Sequence, residues 1–197
     1  MTSRVKQLFG ILCIPLLLLF FTVQAHASEQ TSESSLWQAL QHGDHFAMLR
    51  HALAPGIGDP QNFAVGDCST QRNLSESGRR QARRIGDRFR ANGIEQADVF
   101  TSQWCRCRDT AELLGLGVVT ELPVLNSFFR NFEQEATRTA ELASWLSARD
   151  LHKPLVLVTH QVNITAMTGV FPDSGELVIV RREADGRFSV AGTIETE

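Results

Sequence analysis

The sequence predicts an α/β fold: a three-layer α/β/α sandwich with a mostly parallel sheet and a C-terminal antiparallel hairpin. Apolar runs of strand length alternate with amphipathic segments of helical period, which is typical of this class. The run from Leu155 to Thr159 is almost continuously apolar and branched, as expected of a strand buried on both faces. Near the C-terminus, Asp185-Gly186 separates two further apolar runs and indicates a hairpin turn.

Residues 1–27 have the layout of a secretory signal peptide. Arg4 and Lys6 precede an apolar run from Leu8 to Val23, and Ala25-His26-Ala27 supplies the small residues that precede cleavage. An uncleaved membrane anchor is the alternative, but the run of about 16 residues is short for a span of about 20. We therefore expect cleavage after Ala27, a periplasmic or secreted protein, and no stable membrane anchor.

Residues 28–197 are expected to form a single domain, since about 170 residues suit one hydrophobic core. The full chain has a net charge of −3, and removal of the signal segment takes away two bases and no acid. This acidic balance argues against general nucleic-acid binding, which needs a basic surface. Arginines nevertheless crowd residues 72–90, either as a solvated helix face or to steer an anionic substrate.

The order of elements follows from periodicity and from capping residues. After a polar segment at 28–35, expected to be a flexible terminus, the predicted elements are a short helix at 36–41, a strand at 45–49, a helix at 75–92, a strand at 97–101, a helix at 105–114, a short strand at 118–119, a helix at 136–149, a strand at 155–159, a helix at 162–168 and strands at 176–182 and 187–194. The loop at 54–73 is unusually long, and such loops are often functional.

Three cysteines lie outside the signal segment. Export implies an oxidising compartment, and an odd number indicates one disulfide and one free thiol. Cys105 and Cys107 are too close in sequence to bond easily, so we expect Cys68 to pair with one of them, with Cys105 as the candidate and Cys107 as the alternative. Cys-x-Cys is not a usual zinc spacing, and no metal is expected.

Polar residues follow three of the predicted strands. Arg50-His51 ends the first, Thr101-Ser102 leads into a helix that bears Arg106, and His160 ends the strongest strand. Because the carboxyl ends of parallel strands share one edge, two histidines and two arginines are expected to face one small volume. Cations held together need an anion, and the planar fork of arginine matches phosphate oxygens. A neutral imidazole nitrogen can also attack phosphorus.

Four motifs occur in order along the chain: Leu49-Arg50-His51-Ala52, Leu74-Ser75-x-x-Gly78-x-x-Gln81-Ala82, Thr101-Ser102-x-x-x-Arg106-x-x-x-Thr110-Ala111 and Val158-Thr159-His160. In this order they resemble the histidine phosphatase (phosphoglycerate mutase-like) superfamily, and the resemblance covers about Phe46 to Gly169. The resemblance implies hydrolysis of a phosphomonoester through a phosphohistidine on His51, without a cofactor. It also implies a phosphate pocket completed by Arg50, Arg106 and His160, with Asn163 as a further ligand-orienting candidate.

The sequence departs from the family pattern at the proton donor. Gln161 after His160 removes the His-Asp signature of the phytase and acid-phosphatase branch, and residues 125–133 give no clean match to the mutase-branch glutamate. Asp59, Asp67 and Glu133 are the remaining candidates. Smaller departures are Ala52 in place of a frequent glycine and Gln103 in place of a frequent proline.

The function predicted from these features is an exported phosphomonoesterase acting on a small-molecule or glycolipid phosphomonoester. A non-catalytic phospho-ligand-binding domain of the same fold is the alternative. A thiol redox protein using Cys105 and Cys107 is a third hypothesis. The sequence makes no prediction of the physiological substrate or the oligomeric state.

Overall fold

The computed structural model describes residues 32–196, so the expected signal peptide lies outside the described residues. Within that range the strands are β1 His45–Arg50, β2 Asp98–Thr101, β3 Val119–Glu121, β4 Leu155–Thr159, β5 Leu177–Arg182 and β6 Phe188–Ile194. The α-helices are α1 Glu33–Ala39, α2 Glu76–Ala91, α3 Cys105–Leu114, α4 Glu135–Ser147 and α5 Gln161–Thr168. None of these helices is long and apolar enough to cross a membrane.

The strands form one sheet in the order β3-β2-β4-β1-β5-β6. The four strands β1 to β4 run parallel, β5 pairs antiparallel with β1, and β6 pairs antiparallel with β5. The Asp185-Gly186 turn joins the last two strands, as the sequence predicts. The predicted fold class, a mostly parallel sheet with a C-terminal antiparallel hairpin, is therefore confirmed.

The two faces of the sheet carry separate hydrophobic cores, which explains the continuous apolar run of β4. Side chains alternate across a strand, so Val156 and Val158 pack with α1, α2 and α3, whereas Leu155 and Leu157 pack with α4 and α5. Every residue of β4 is buried. Burial on both faces requires apolar residues at consecutive positions, and this is the pattern that the sequence shows.

Two local expectations are wrong. Residues 33–35 are helical, because α1 begins at Glu33 and Ser32 caps it by accepting a hydrogen bond from the backbone of Ser35 at 3.2 Å. The amphipathic pattern of residues 136–149 predicts Ala140, Ala143, Trp145 and Leu146 as the apolar positions of this helix. In α4 the buried positions are Leu142 and Leu146, and Ala140 is exposed. Leu142 and Leu146 lie one turn apart on the same face of α4 and pack into the core, so Ala140 lies outside that face.

The 54–73 loop contains one short 3₁₀ turn at Cys68–Thr70 and is otherwise irregular. A disulfide between Cys68 and Cys105 fixes it to the first residue of α3. Close to its C-terminal end, the Arg72 side chain donates to the carbonyls of Gly58 (2.9 Å) and Ala54. The loop is therefore bonded to α3 at Cys68, and Arg72 joins its C-terminal part to its N-terminal part.

Candidate active site

The carboxyl ends of β1, β2 and β4 are adjacent in the sheet. Arg50 aligns with Thr159, and Thr101 aligns with Val158. The backbone N–H of His51 continues the ladder by donating to the Thr159 carbonyl at 3.0 Å. A cavity of about 560 Å³ opens at this edge, and its lining includes the four residues of the predicted phosphate pocket: Arg50, His51, Arg106 and His160.

His51 is held as a neutral imidazole with a defined tautomer. Its side chain is buried, with 2% exposure, and Nδ1 donates to the Ala52 carbonyl at 2.8 Å. Nε2 accepts a hydrogen bond from Nε of Arg106 at 3.2 Å, so it carries a lone pair and no proton. Burial and the positive charge of Arg106 hold the pKa of His51 well below its usual value. At neutral pH this nitrogen of His51 is therefore unprotonated and carries a lone pair.

Arg106 is the centre of the polar network and is only 3% exposed. Its Nε–H contacts His51, and its two terminal nitrogens form a bidentate pair with the Asp59 carboxylate at 2.7 and 3.2 Å. The remaining contacts are to the Arg72 carbonyl and to Nδ1 of His160, both at 3.3 Å. A guanidinium has five N–H donors, so each donor of Arg106 already has an acceptor.

His160 is positioned by a chain of side-chain hydrogen bonds. Because Nδ1 accepts from Arg106, Nε2 carries the proton and donates to Ser102 Oγ at 2.8 Å. The Ser102 hydroxyl in turn donates to Oδ1 of Asn126 at 3.2 Å. Burial, then Arg106 and then His51 lower the pKa of His160 well below its usual value. The two imidazole rings lie 5.6 Å apart, both neutral.

Arg50 adds a second guanidinium to the cavity wall. One of its terminal nitrogens donates to the Pro172 carbonyl at 2.8 Å. Its Nε is buried and makes no hydrogen bond within residues 32–196. A buried charged donor without an acceptor is costly, and an anion in the cavity would supply one. Arg50 therefore has free capacity to bind an anionic group.

The His51 backbone is held by residues that belong to the family motifs. Thr110 Oγ1 accepts from the Ala52 N–H at 3.0 Å and donates to the Arg106 carbonyl at 2.7 Å. Gln81 accepts from the Leu53 N–H at 2.9 Å. At Gly78 an added Cβ would lie 2.1 Å from the Leu53 carbonyl oxygen, so glycine is required there for close approach. Thr110, Gln81 and Gly78 belong to the motifs in the sequence, but the sequence alone predicts no role for them.

Of the three candidate proton donors, Asp59 alone lines the cavity. Asp67 is exposed and accepts hydrogen bonds from Ser69, and Glu133 is exposed outside the cavity. Burial favours a raised pKa for Asp59. The hydrogen bonds and charge of Arg106 outweigh burial, and the pKa lies below its ordinary value. In this structure Asp59 is a carboxylate.

Asn163 lies behind the cavity rather than in its lining. It is 4% exposed, and its amide nitrogen donates to the Asn126 carbonyl at 3.1 Å.

Cys107 is a buried free thiol 3.5 Å from Nε2 of His160, and burial raises its pKa to about 12. A thiol with that pKa is unreactive, which removes support from the redox hypothesis. No group of three or more potential metal ligands occurs within residues 32–196.

The outer wall of the cavity consists of apolar side chains and one arginine, and the sequence did not predict it. Trp104 stacks on Phe63 with ring centroids 4.8 Å apart. Ile57 and Phe171 are 86% and 71% exposed although they line the cavity. Arg130 also lines it, and its guanidinium forms no ion pair or hydrogen bond within residues 32–196. We name Ile57, Phe63, Phe129, Arg130 and Phe171 the outer wall.

A family model described as "Histidine phosphatase superfamily (branch 1)" matches residues 46–126. This range contains β1 from its second residue, His51 directly after it, the 54–73 loop with Asp59, and α3 with Arg106. His160 lies beyond the matched range. In direct sequence comparison, no curated protein matches the chain.

Solved structures with the same fold include several phosphatases. The product of an open reading frame of Mycobacterium tuberculosis has a TM-score of 0.56 at 18% identity, covering 75% of this chain and 95% of the other. The protein histidine phosphatase SixA, in complex with tungstate, has a TM-score of 0.55 at 15% identity, covering 77% and 97%. A mycobacterial glucosyl-3-phosphoglycerate phosphatase, in complex with VO3, has a TM-score of 0.55 at 16% identity, covering 76% and 98%. At these identities the similarity establishes a common fold.

Proposed function

We propose that the chain is a member of the histidine phosphatase superfamily, whose model matches residues 46–126, and that it is a phosphomonoesterase that works through a phosphohistidine on His51. The family match and the phosphatases of the same fold support phosphatase activity in general. The observation that carries the specific proposal is the tautomer of His51. Nδ1 is committed to the Ala52 carbonyl, and the unprotonated Nε2 stands beside the Arg106 guanidinium at the cavity.

The reaction divides into two displacements. The phosphoryl group enters the pocket formed by Arg50, Arg106 and His160, and Nε2 of His51 attacks phosphorus as the bond to the ester oxygen breaks. The two guanidinium groups stabilise charge on the equatorial oxygens. The Ala52 carbonyl keeps the Nδ1 proton and stabilises the positive imidazole ring that forms. Water then attacks the phosphohistidine, releases inorganic phosphate and restores the neutral imidazole.

The proposed substrate is a small-molecule or glycolipid phosphomonoester. The glucosyl-3-phosphoglycerate phosphatase shows that the fold hosts enzymes named for small phosphorylated metabolites. Export to the periplasm or the exterior rests on the signal-like segment at residues 1–27, and the Cys68–Cys105 disulfide is consistent with an oxidising compartment.

The test compares wild type with His51→Ala on p-nitrophenyl phosphate. We expect His51→Ala to lose at least 1,000-fold in kcat, as is usual when a nucleophile is removed. His152→Ala is the matched control, because the side chain of His152 is 88% exposed and lies outside the cavity, so its rate should not change. Rapid quenching should trap an acid-labile, base-stable phosphate on the His51 peptide. Equal rates for wild type and His51→Ala would refute the proposal.

One observation favours the alternative, a phospho-ligand-binding domain without turnover. Every N–H of Arg106 has an acceptor, and Asp59 is ionised rather than ready to donate a proton. The two functions differ in a simple assay. A binding domain would retain inorganic phosphate with measurable affinity but release no phenolate above the His51→Ala background.

A further inference from the structure

We propose that Asp59 occupies the phosphate position on Arg106 in the resting enzyme, and that substrate displaces it and so converts it into the proton donor for the leaving group. This inference rests on the proposed function. It gives one residue two successive roles, and it explains why the cavity contains an ionised carboxylate where the reaction needs a protonated one.

The geometry of the pair is the geometry that a phosphate requires. The carboxylate of Asp59 bonds to Arg106 through both oxygens, and this is the bidentate mode in which arginine binds phosphate. The side chains of Arg106 and Asp59 are 3% and 15% exposed, so the pair closes the floor of the cavity. Every N–H of Arg106 already donates to an acceptor. A phosphate can therefore bind this guanidinium only by replacing one of those acceptors.

Asp59 is the acceptor that can leave. The other acceptors of Arg106 are two buried histidines and a backbone carbonyl of Arg72. Asp59 lies on the 54–73 loop, directly after Gly58, which has a positive φ of 69°. Gly56, with a φ of 96°, gives the same segment a second point of rotation. Displacement therefore requires a local change of loop backbone and leaves the sheet edge in place.

The ion pair between Asp59 and Arg106 also neutralises part of the positive charge around the cavity. Arg50, Arg72 and Arg106 converge on the cavity, and a buried guanidinium without an anion is strongly unfavourable. The Asp59 carboxylate supplies that anion until substrate arrives. When a phosphate replaces the Asp59 carboxylate on the Arg106 guanidinium, one anion replaces another. The positive charge of the three arginines therefore remains neutralised throughout the exchange.

Displacement changes the protonation of Asp59. In the resting state burial favours a raised pKa, and Arg106 overcomes it. Once the phosphate neutralises Arg106 and places negative charge beside the carboxyl, both burial and the new anion raise its pKa. Asp59 then binds a proton from solvent. Hydrogen bonds from Nε1 of Trp104 (3.0 Å) and from the Arg72 backbone (3.1 Å) restrict how far the carboxyl can move.

The proton balance of the two steps is complete. As the P–N bond to His51 forms and the P–O bond breaks, Asp59 gives its proton to the ester oxygen, which leaves as an alcohol. The resulting carboxylate accepts a proton from the water that attacks the phosphohistidine. When phosphate dissociates, Asp59 returns to Arg106 and loses that proton to solvent.

The decisive variant is Asp59→Asn, which is nearly isosteric but cannot pair with the guanidinium through two acceptor oxygens. We expect inorganic phosphate to bind at least 10-fold more tightly by calorimetry, because its competitor is gone. At the same time, we expect kcat to fall at least 100-fold for an alkyl phosphate and less than 5-fold for p-nitrophenyl phosphate, whose leaving group needs no proton. Asp67→Asn is the matched control on the same loop, and neither quantity should change.

The outcomes separate this inference from the proposed function. Unchanged or weaker phosphate binding by Asp59→Asn would overturn the displacement. An equal loss of kcat on both substrates would mean that Asp59 only positions Arg106. If His51→Ala retains full activity, the proposed function fails, whereas the phosphate affinity of Asp59→Asn still reports on the competition.

Wild-type protein provides an independent measurement should Asp59→Asn fold poorly. The indole of Trp104 is bonded to Asp59, so phosphate should change the tryptophan emission of the wild type. The change should be absent in Trp104→Phe, which keeps the chain's two other tryptophans as an internal reference. An emission spectrum that phosphate leaves unaltered at saturation would contradict the displacement of Asp59.

Discussion

Nε of Arg106 lies 3.2 Å from Nε2 of His51, with the guanidinium as donor and the imidazole as acceptor. A proton on Nε2 would place two donors against each other inside a buried site. The contact therefore selects the neutral imidazole, and with it the state of His51 that can attack phosphorus. His160 faces the same guanidinium through Nδ1 and is subject to the same selection.

The first prediction concerns stability below neutral pH. Burial and Arg106 lower the folded-state pKa values of His51 and His160 below the unfolded value of about 6.5. Below about pH 6.5 the unfolded chain therefore binds more protons than the folded chain. The stability that is present above pH 6.5 is lost as the pH falls below that value. The free energy of unfolding should fall by about 1.4 kcal/mol per pH unit for each histidine. Urea unfolding from pH 7.5 to pH 5 measures this slope.

A variant that lacks one of the two buried histidines gives the control for this slope. His51→Gln should lose about half of the pH dependence between pH 6.5 and 5. The lowered pKa of Asp59 contributes its own loss of stability only at more acidic pH, since its ordinary value is 3.8. A free energy of unfolding that stays constant from pH 6.5 to 5 would show that the two imidazoles are not held neutral.

The second prediction concerns Thr110, whose side chain hydrogen-bonds to the backbone directly after His51 and to the backbone of Arg106. Thr110→Val keeps the shape but leaves the Ala52 N–H without an acceptor. An unsatisfied buried donor costs about 1–3 kcal/mol, and a small displacement of His51 costs about 100-fold in rate. We expect kcat on p-nitrophenyl phosphate to fall 10- to 100-fold. Thr110→Ser restores the hydroxyl and should recover most of the rate.

The third prediction uses two glycines of α2 that make equivalent close approaches. A Cβ at Gly78 would lie 2.1 Å from the Leu53 carbonyl oxygen, and one at Gly86 would lie 2.0 Å from that of Leu114. Each alanine substitution should destabilise the fold by about 1–3 kcal/mol. Only Gly78→Ala shifts the loop that follows His51, so only this variant should lose kcat in its folded form. Equal kcat values for the two folded variants would contradict this assignment.

The fourth prediction concerns the disulfide between Cys68 and Cys105. These residues are 37 positions apart, and closing a loop of that length in the unfolded chain corresponds to about 4 kcal/mol of stability. Reduction should lower the melting temperature and raise KM, because the loop that carries Asp59 loses its attachment to α3. In the double variant Cys68→Ser/Cys105→Ser, the reductant should have no further effect. A reduced wild type with unchanged KM would show that the loop is held by its hydrogen bonds alone.

The sequence was sufficient for the sheet and for the residues at its edge. Residues 155–158 of β4 are apolar at every position because side chains on both faces of the strand enter hydrophobic cores, so their pattern predicts a central parallel strand. Arg50, His51 and His160 follow strand ends, and the topology then brings them together. The position of each of these residues can be predicted because it follows from the end of one strand and does not require a contact with a distant part of the chain.

The remaining features depend on the path of irregular backbone. The sequence offered three acids without ranking them, since their distances from Arg106 depend on loop trajectories that no periodicity encodes. Only the folded 54–73 loop brings Asp59 to the guanidinium. Similarly, Phe129 and Phe171 reach the cavity from separate loops, and neither has a pattern that distinguishes it from a surface aromatic.

The outer wall and the residues of the proposed phosphate pocket are carried by different parts of the chain. His51, Arg106 and His160 follow strands or lie on a helix, whereas Phe129, Arg130 and Phe171 lie on connecting segments and form no hydrogen bond to the network around Arg106 within residues 32–196. Loops tolerate substitution better than the sheet edge. In the proposed phosphatase, exchange of these wall residues should therefore redirect activity toward other phosphorylated compounds while the proposed catalytic residues stay in place, which makes the scaffold a suitable start for directed evolution.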